Sequence, residues 1–224
     1  MKISKLSISA FIFTLLFILW PIFSFISLPT EISFTEQLNS IQQNKGLYIF
    51  NFIIAFLIAP ALVFMLFELY KKITGNSWNI TARIGFILYG LFILVVNISY
   101  GSQFLYLPFI IDIKPESIVL NWYFYNGHST VILINQTGYL LWSIATLIIF
   151  SRYIFKSSLA FFILKILTLA ALTQLVATIG LYLNQPNLSV LTFYSGLLLI
   201  PSGILIIIYS FFNNKTPSHE NPKN

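Results

Sequence analysis

Six stretches of this chain, 6–28, 47–69, 83–111, 130–151, 158–183 and 189–212, are nearly free of charge and consist mostly of Ile, Leu, Phe, Val and Ala. About 20 apolar residues in helical form cross the roughly 30 Å of hydrocarbon in a bilayer, and each stretch is that long. Hydrocarbon offers no water to backbone N–H and C=O groups, so each stretch must satisfy its own by coiling into a helix. A β-barrel would instead show alternating segments of about 10 residues. The sequence therefore predicts an all-α, polytopic membrane protein: a single six-helix transmembrane bundle over 1–212, then a polar tail at 213–224 expected to be disordered.

Composition excludes the main alternative. Only 8% of residues are charged, against about 25% in soluble domains, so a water-facing surface cannot be assembled. The net charge of +6 is scattered in ones and twos along the chain, which argues against a nucleic-acid interface. The first stretch follows Lys2 and Lys5 as a secretory signal would, but Leu6 to Leu28 outlasts the 7–15 residues or so of a signal's apolar region and has no small-residue cleavage site. It reads as an uncleaved first span.

Basic residues set orientation, because cytoplasmic loops hold more Lys and Arg. With the N-terminus inside, Lys2, Lys5, Lys71, Lys72, Arg83, Arg152, Lys156, Lys165, Lys215 and Lys223 are cytoplasmic, and only Lys45 and Lys114 are outside. Both termini are thus expected in the cytoplasm. Loop 29–46 carries Ile32, Phe34, Leu38 and Ile41 among polar residues and suits a short interfacial helix. Loop 112–129 carries Trp122, Tyr123, Phe124 and Tyr125, a cluster suited to the headgroup region. Span three, as one helix from Arg83 to Ile111, would rise about 43 Å at 1.5 Å per residue. It must tilt, project, or break near Gly101 or Pro108. Glu68 and Lys72, four apart, suit an ion pair on a helix surface.

Polar residues within spans are the functional pointers, and here they are neutral. Asn51, Asn97, Tyr100, Gln103, Asn135, Gln136, Tyr139, Gln174, Thr178, Tyr182, Tyr194 and Ser195 fall in the outer half or near mid-membrane, while the inner halves read as inert packing. At 100° per residue, Asn97, Tyr100 and Gln103 share one arc of span three, and Asn135, Gln136, Tyr139, Trp142 and Ser143 share one arc of span four. Gln174, Thr178 and Tyr182 line span five, and Tyr194, Ser195, Pro201 and Ser202 are read as one side of span six. Amides facing lipid cost free energy, so these faces should point inward. They serve either as interhelical glue or as the lining of a pocket open to the outer side. The candidate ligand-binding residues are Asn97, Tyr100, Gln103, Asn135, Gln136, Tyr139, Gln174, Thr178 and Tyr194.

Other chemistry has little support. The chain has no cysteine, which removes disulfides, thiolate catalysis and Cys-ligated metals. His219 lies in the tail; His128 lies in the Asn-Gly-His-Ser-Thr turn at 126–130, where a solvated turn histidine is the simpler reading and a catalytic base beside outer acids such as Asp112 or Glu116 the bolder one. No nucleotide or metalloprotease motif is present. No catalytic residue, metal ligand or cofactor is expected.

The leading expectation is a membrane protein that binds or transports a small neutral or amphipathic ligand through an outward-facing polar pocket. The alternative is a structural, assembly or immunity-type protein acting by helix–helix contact with a partner, with no cavity. The partners to expect are the lipid bilayer, a small-molecule ligand under the first reading, and a membrane-protein partner or second copy under the other. The bias toward Ile, Phe, Asn and Lys suggests an AT-rich bacterial genome and hence a bacterial inner membrane.

Overall fold

In the computed structural model, residues 4–27, 33–75, 77–127, 129–153 and 158–213 are described, and among them every regular element is helical. The long helices are α1 (Lys5–Ser27), α3 (Lys45–Thr74), α4 (Ile80–Leu105), α7 (Thr130–Phe150), α8 (Leu159–Tyr182) and α10 (Leu191–Asn213). Short ones connect them: α2 (Phe34–Gln43), α5 (Leu107–Ile110), α6 (Glu116–Trp122) and α9 (Pro186–Ser189). Six helical segments are long and apolar enough to cross a membrane. His128 and the tail beyond 213 lie outside the described residues.

Local chemistry sets the ends. Asn79 accepts a 2.9 Å bond from the Ala82 N–H and starts α4; Ser129 does the same for α7 through the Ile132 N–H at 3.2 Å. Gly75, at φ 62°, takes the left-handed conformation that closes α3, returning its N–H to the Lys71 carbonyl. Span three breaks at Tyr106 (φ −121°, ψ −54°), two residues before Pro108. Proline lacks an N–H and its ring collides with the preceding turn, so the helix ends and restarts as α5.

Each long helix packs on its neighbours in sequence, and α1 closes against α10, so the six form a ring. The α4–α7 seam is tight because Gly85 of α4 faces Ile149, and Gly138 of α7 faces Val96; a Cβ at either glycine would collide with that side chain. Hydroxyls bond across the seam: Tyr89 to Thr146 at 2.9 Å, Tyr100 to Tyr139 at 3.2 Å, and Ser99 to the Val131 carbonyl at 3.1 Å.

The ring has two unlike ends. Lys5, Lys71, Lys72, Arg83, Arg152 and Lys165 gather toward the end that holds residues 5 and 213, here the basic end. Glu36, Asp112, Glu116, Lys45 and Lys114 lie toward the other, the loop end. Between them the outer surface is apolar, with Phe25 83%, Ile87 65% and Phe193 65% exposed. A protein in water rarely shows so much contiguous apolar surface.

The expected short helix in loop 29–46 is present as α2. Ser33 and Glu36 form a reciprocal capping box at its start, and Ile41 is buried beneath it. Three expectations need correction. The aromatic cluster does not stay at the surface: Tyr123 is buried, and Phe124 and Tyr125 pack against Phe52 at 5.3 and 5.9 Å. Glu68 pairs with Lys71 at 3.2 Å rather than with Lys72. The basic-end half is not inert either, since Ser4, Ser7 and Ser210 join α1 to α10 through their hydroxyls. These small hydroxyls escape a search for amides and tyrosines.

A neutral polar chamber as candidate functional site

The nine residues singled out from sequence do not share one space. Gln103 of α4 is fully buried and fully bonded. Its carbonyl oxygen accepts from the Tyr48 hydroxyl at 2.8 Å and the Phe124 N–H at 3.1 Å. Its amide nitrogen donates to the Ser102 hydroxyl at 2.9 Å and the Trp122 carbonyl at 2.8 Å. Both donors and both acceptor sites of the amide are used. Gln103 thus clamps the loop after α6 on both sides of Tyr123, which is why the aromatic cluster turns inward.

Asn97 faces a shallow groove between α3 and α4 with Phe56, Gly101, Tyr106 and Trp122. Thr178 is buried and bonds within α8, to the Gln174 carbonyl at 3.0 Å. Tyr194 points away from the bundle: it is 53% exposed and stacks edge-on with Phe193. The supposed polar side of span six is therefore two sides. Ser195, one residue on, is buried and donates to the Ala170 carbonyl of α8 at 2.9 Å, while Tyr194 is left outside. Tyr182 likewise sits at the surface, 48% exposed, bonded to Thr137 at 2.6 Å.

The other five come together. Tyr100, Asn135, Gln136, Tyr139 and Gln174 line one cavity of about 210 Å³ inside the loop-end half of the ring. Phe17 and Trp20 of α1, Phe124, Trp142 of α7, and Thr192 and Gly196 of α10 complete much of its wall. Gln174 donates to Gln136 at 2.8 Å and to Thr178 at 3.2 Å, which aligns one wall. The Asn135 amide lies beside the Tyr100 hydroxyl.

Three polar atoms of this wall are buried without a partner: the indole nitrogens of Trp20 and Trp142, and the carbonyl oxygen of Asn135. Asn135 is 3% exposed and Trp142 1%. A buried polar atom left without a bond costs about 1–3 kcal/mol, and three of the eight such atoms among the described residues belong to residues that line this cavity. Among the described residues, no charged side chain lines the chamber. An ion placed there would lose its hydration without a countercharge, so the chemistry fits an uncharged, hydrogen-bonding group.

Sequence reading missed Trp20, Phe17 and Phe124 as lining residues. The signal for Trp20 was a lone N–H donor within an otherwise apolar run. No signal in sequence places α1 beside α10. Among the described residues, no group of three His, Cys, Asp or Glu side chains could hold a metal. Comparison of this chain with protein-family models, with curated proteins and with solved structures finds no match.

Proposed function

We propose that this chain is an integral membrane protein, with its basic end and both termini in the cytoplasm, that binds a small uncharged or amphipathic ligand in the loop-end chamber, either to hold it or to pass it across. The observation that carries this reading is a cavity lined by Tyr100, Asn135, Gln136, Tyr139 and Gln174 with no charged side chain among its described lining residues, three of which, Trp20, Asn135 and Trp142, hold a buried polar atom without a protein partner. Interhelical glue needs none of them unpaired. The aromatic walls offer the apolar surface that ligand pockets use.

The contact-only reading draws on Gln103, Gln174 and Ser195, which are all bonded within the protein. It supplies no reason for the orphaned atoms of the chamber.

The binding test is thermal stabilisation of the purified chain by a panel of uncharged polyols and amides, set against their charged analogues. The expected result is saturable stabilisation by uncharged members alone, independent of pH between about 5 and 8, since no carboxylate, histidine or lysine among the described residues lines the chamber. Stabilisation by none, or preferentially by ions, overturns the reading. Orientation is testable because the chain has no cysteine. Cysteine at position 45 or 114 should be labelled by an impermeant reagent from outside the cell, and cysteine at position 72 only after lysis; the reverse pattern inverts the topology.

A further inference from the structure

The chamber does not stand alone. A second space of about 450 Å³ runs along the outside of the bundle between α1 and α10, lined by Phe17, Pro21, Val190, Phe193, Leu197 and Ile200 among others. It shares Phe17, Trp20, Thr192 and Gly196 with the chamber. We infer that the α1–α10 seam is a lateral portal, and that the chamber takes the uncharged hydroxyl head of a single-chain neutral lipid whose hydrocarbon tail lies in this groove. The inference rests on the chamber being a ligand site and adds the class of ligand and its route.

Four observations support it. First, size: the chamber, at about 210 Å³, is smaller than the roughly 300–1,000 Å³ of pockets that enclose a whole ligand. It has room for about seven waters at their liquid volume, or for a head the size of glycerol. A larger molecule must leave part of itself outside, and the groove is the space that adjoins it. Second, hydrogen bonding: the indole N–H groups of Trp20 and Trp142 donate and the Asn135 carbonyl accepts, all unpartnered. A hydroxyl both donates and accepts, so it answers both needs. Pro21, inside α1, has no N–H to give the Phe17 carbonyl.

Third, charge: among the described residues, no ionisable side chain other than the Tyr100 and Tyr139 phenols lines either space. A phosphate or ammonium head would find no countercharge. Fourth, shape at the junction: Gly196 presents no side chain, and a Cβ there would meet only the Phe17 ring, at 3.7 Å. Phe124, in the loop clamped by Gln103, forms part of the chamber wall. The two spaces meet sideways, where Phe17 and Trp20 of α1 face Thr192 and Gly196 of α10.

The test uses the full chain in detergent or nanodiscs and reads quenching of its tryptophans by a monoacylglycerol with a bromine-bearing chain. Brominated phosphatidylglycerol and free glycerol are the comparison arms. The expected result is saturable quenching by the neutral lipid, at least about tenfold tighter than by the anionic one, which corresponds to about 1.4 kcal/mol. Gly196→Leu should weaken it about tenfold. Because a larger side chain at the seam could disturb folding, Leu197→Phe, at an exposed position of the groove, is the second variant. Leu105→Phe, exposed on α4 away from the seam, should leave binding unchanged. Quenching that is equal for all brominated lipids, or that neither seam variant weakens, overturns the portal. Stabilisation by free glycerol without lipid binding overturns the portal while sparing the chamber as a ligand site. No response to either glycerol or lipid removes both.

Discussion

The Gln103 clamp and the Asn135 chamber are built from the same materials, a side-chain amide among tyrosines and tryptophans in the loop-end half of the ring, yet they are used oppositely. At Gln103 every donor and acceptor finds a protein partner. At Asn135 the carbonyl is left open, as are two indole N–H groups around it. Polar residues within an apolar bundle are costly in either case. The difference teaches that the satisfied amide is structure and the unsatisfied one is an interaction still to be made.

Substitution can break this comparison. Gln103→Leu should have the largest effect, because it strands the Trp122 carbonyl and the Phe124 N–H inside the protein. A loss of about 2–4 kcal/mol is expected, read as a lowered melting temperature in detergent with release of the aromatic loop to protease. A melting curve like the parent's would mean the loop is held by aromatic packing instead.

Gly138→Leu should come next. The new side chain would be driven into Val96, whose backbone nitrogen is only 3.2 Å from the Cβ position. Overpacking of this kind costs about 1–3 kcal/mol, and thermal melts of variant and parent check it. This change tests the α4–α7 seam that holds Tyr100 and Tyr139 across the chamber.

Asn135→Leu is the sharpest contrast with Gln103→Leu. It removes an acceptor that has no partner together with the amide beside the Tyr100 hydroxyl, so stability should fall by no more than about 1.5 kcal/mol, less than in Gln103→Leu. Affinity for an uncharged chamber ligand should fall about tenfold, the value of about one hydrogen bond. Equal loss of stability in both variants would erase the distinction between clamp and chamber. Tyr194→Phe should change neither quantity by more than about 0.5 kcal/mol, since its ring is half exposed and its hydroxyl lies outside the chamber.

The smallest expected effect lies at α2. Bonds from the Ser33 hydroxyl and N–H hold the Glu36 carboxylate below its usual pKa. A lowered folded value means the cap stabilises α2 above the ordinary carboxylate range and is lost as pH falls through the folded value. Amide exchange in 34–37 should therefore quicken, relative to the intrinsic rate, only at strongly acidic pH, and Glu36→Gln should flatten that dependence. The exposed position makes the effect slight.

Much of the architecture was legible because one constraint acts locally. The cost of unpaired backbone in hydrocarbon marks each span independently of its neighbours, so 130–151 and 158–183 were read to within a residue or two of α7 and α8. A break near Pro108 was one of the outcomes the length of span three allowed, and α2 was legible from Phe34, Leu38 and Ile41 among polar residues. The site was legible only in part. Tyr194 and Ser195 differ by 100° on one helix, and which of them faces inward depends on where α8 offers the Ala170 carbonyl. Gln103 and Asn135 look alike in sequence, and their fates diverge because Trp122 and Phe124 return to one and not the other.

The sequence by itself determined that this is an all-helical chain with six apolar helices, basic residues concentrated toward one end, and neutral amides concentrated toward the other. Those properties follow from residue type and helical period, which need no knowledge of neighbours. Only the tertiary structure decided that α1 closes against α10, that the aromatic loop folds inward onto Gln103, and that Trp20, Asn135 and Trp142 meet unpartnered around one cavity. A hydrogen bond is made or missed on a scale of tenths of an ångström, between residues as near in the chain as Gln103 and Phe124 or as far as Trp20 and Asn135, and no local pattern encodes that distance.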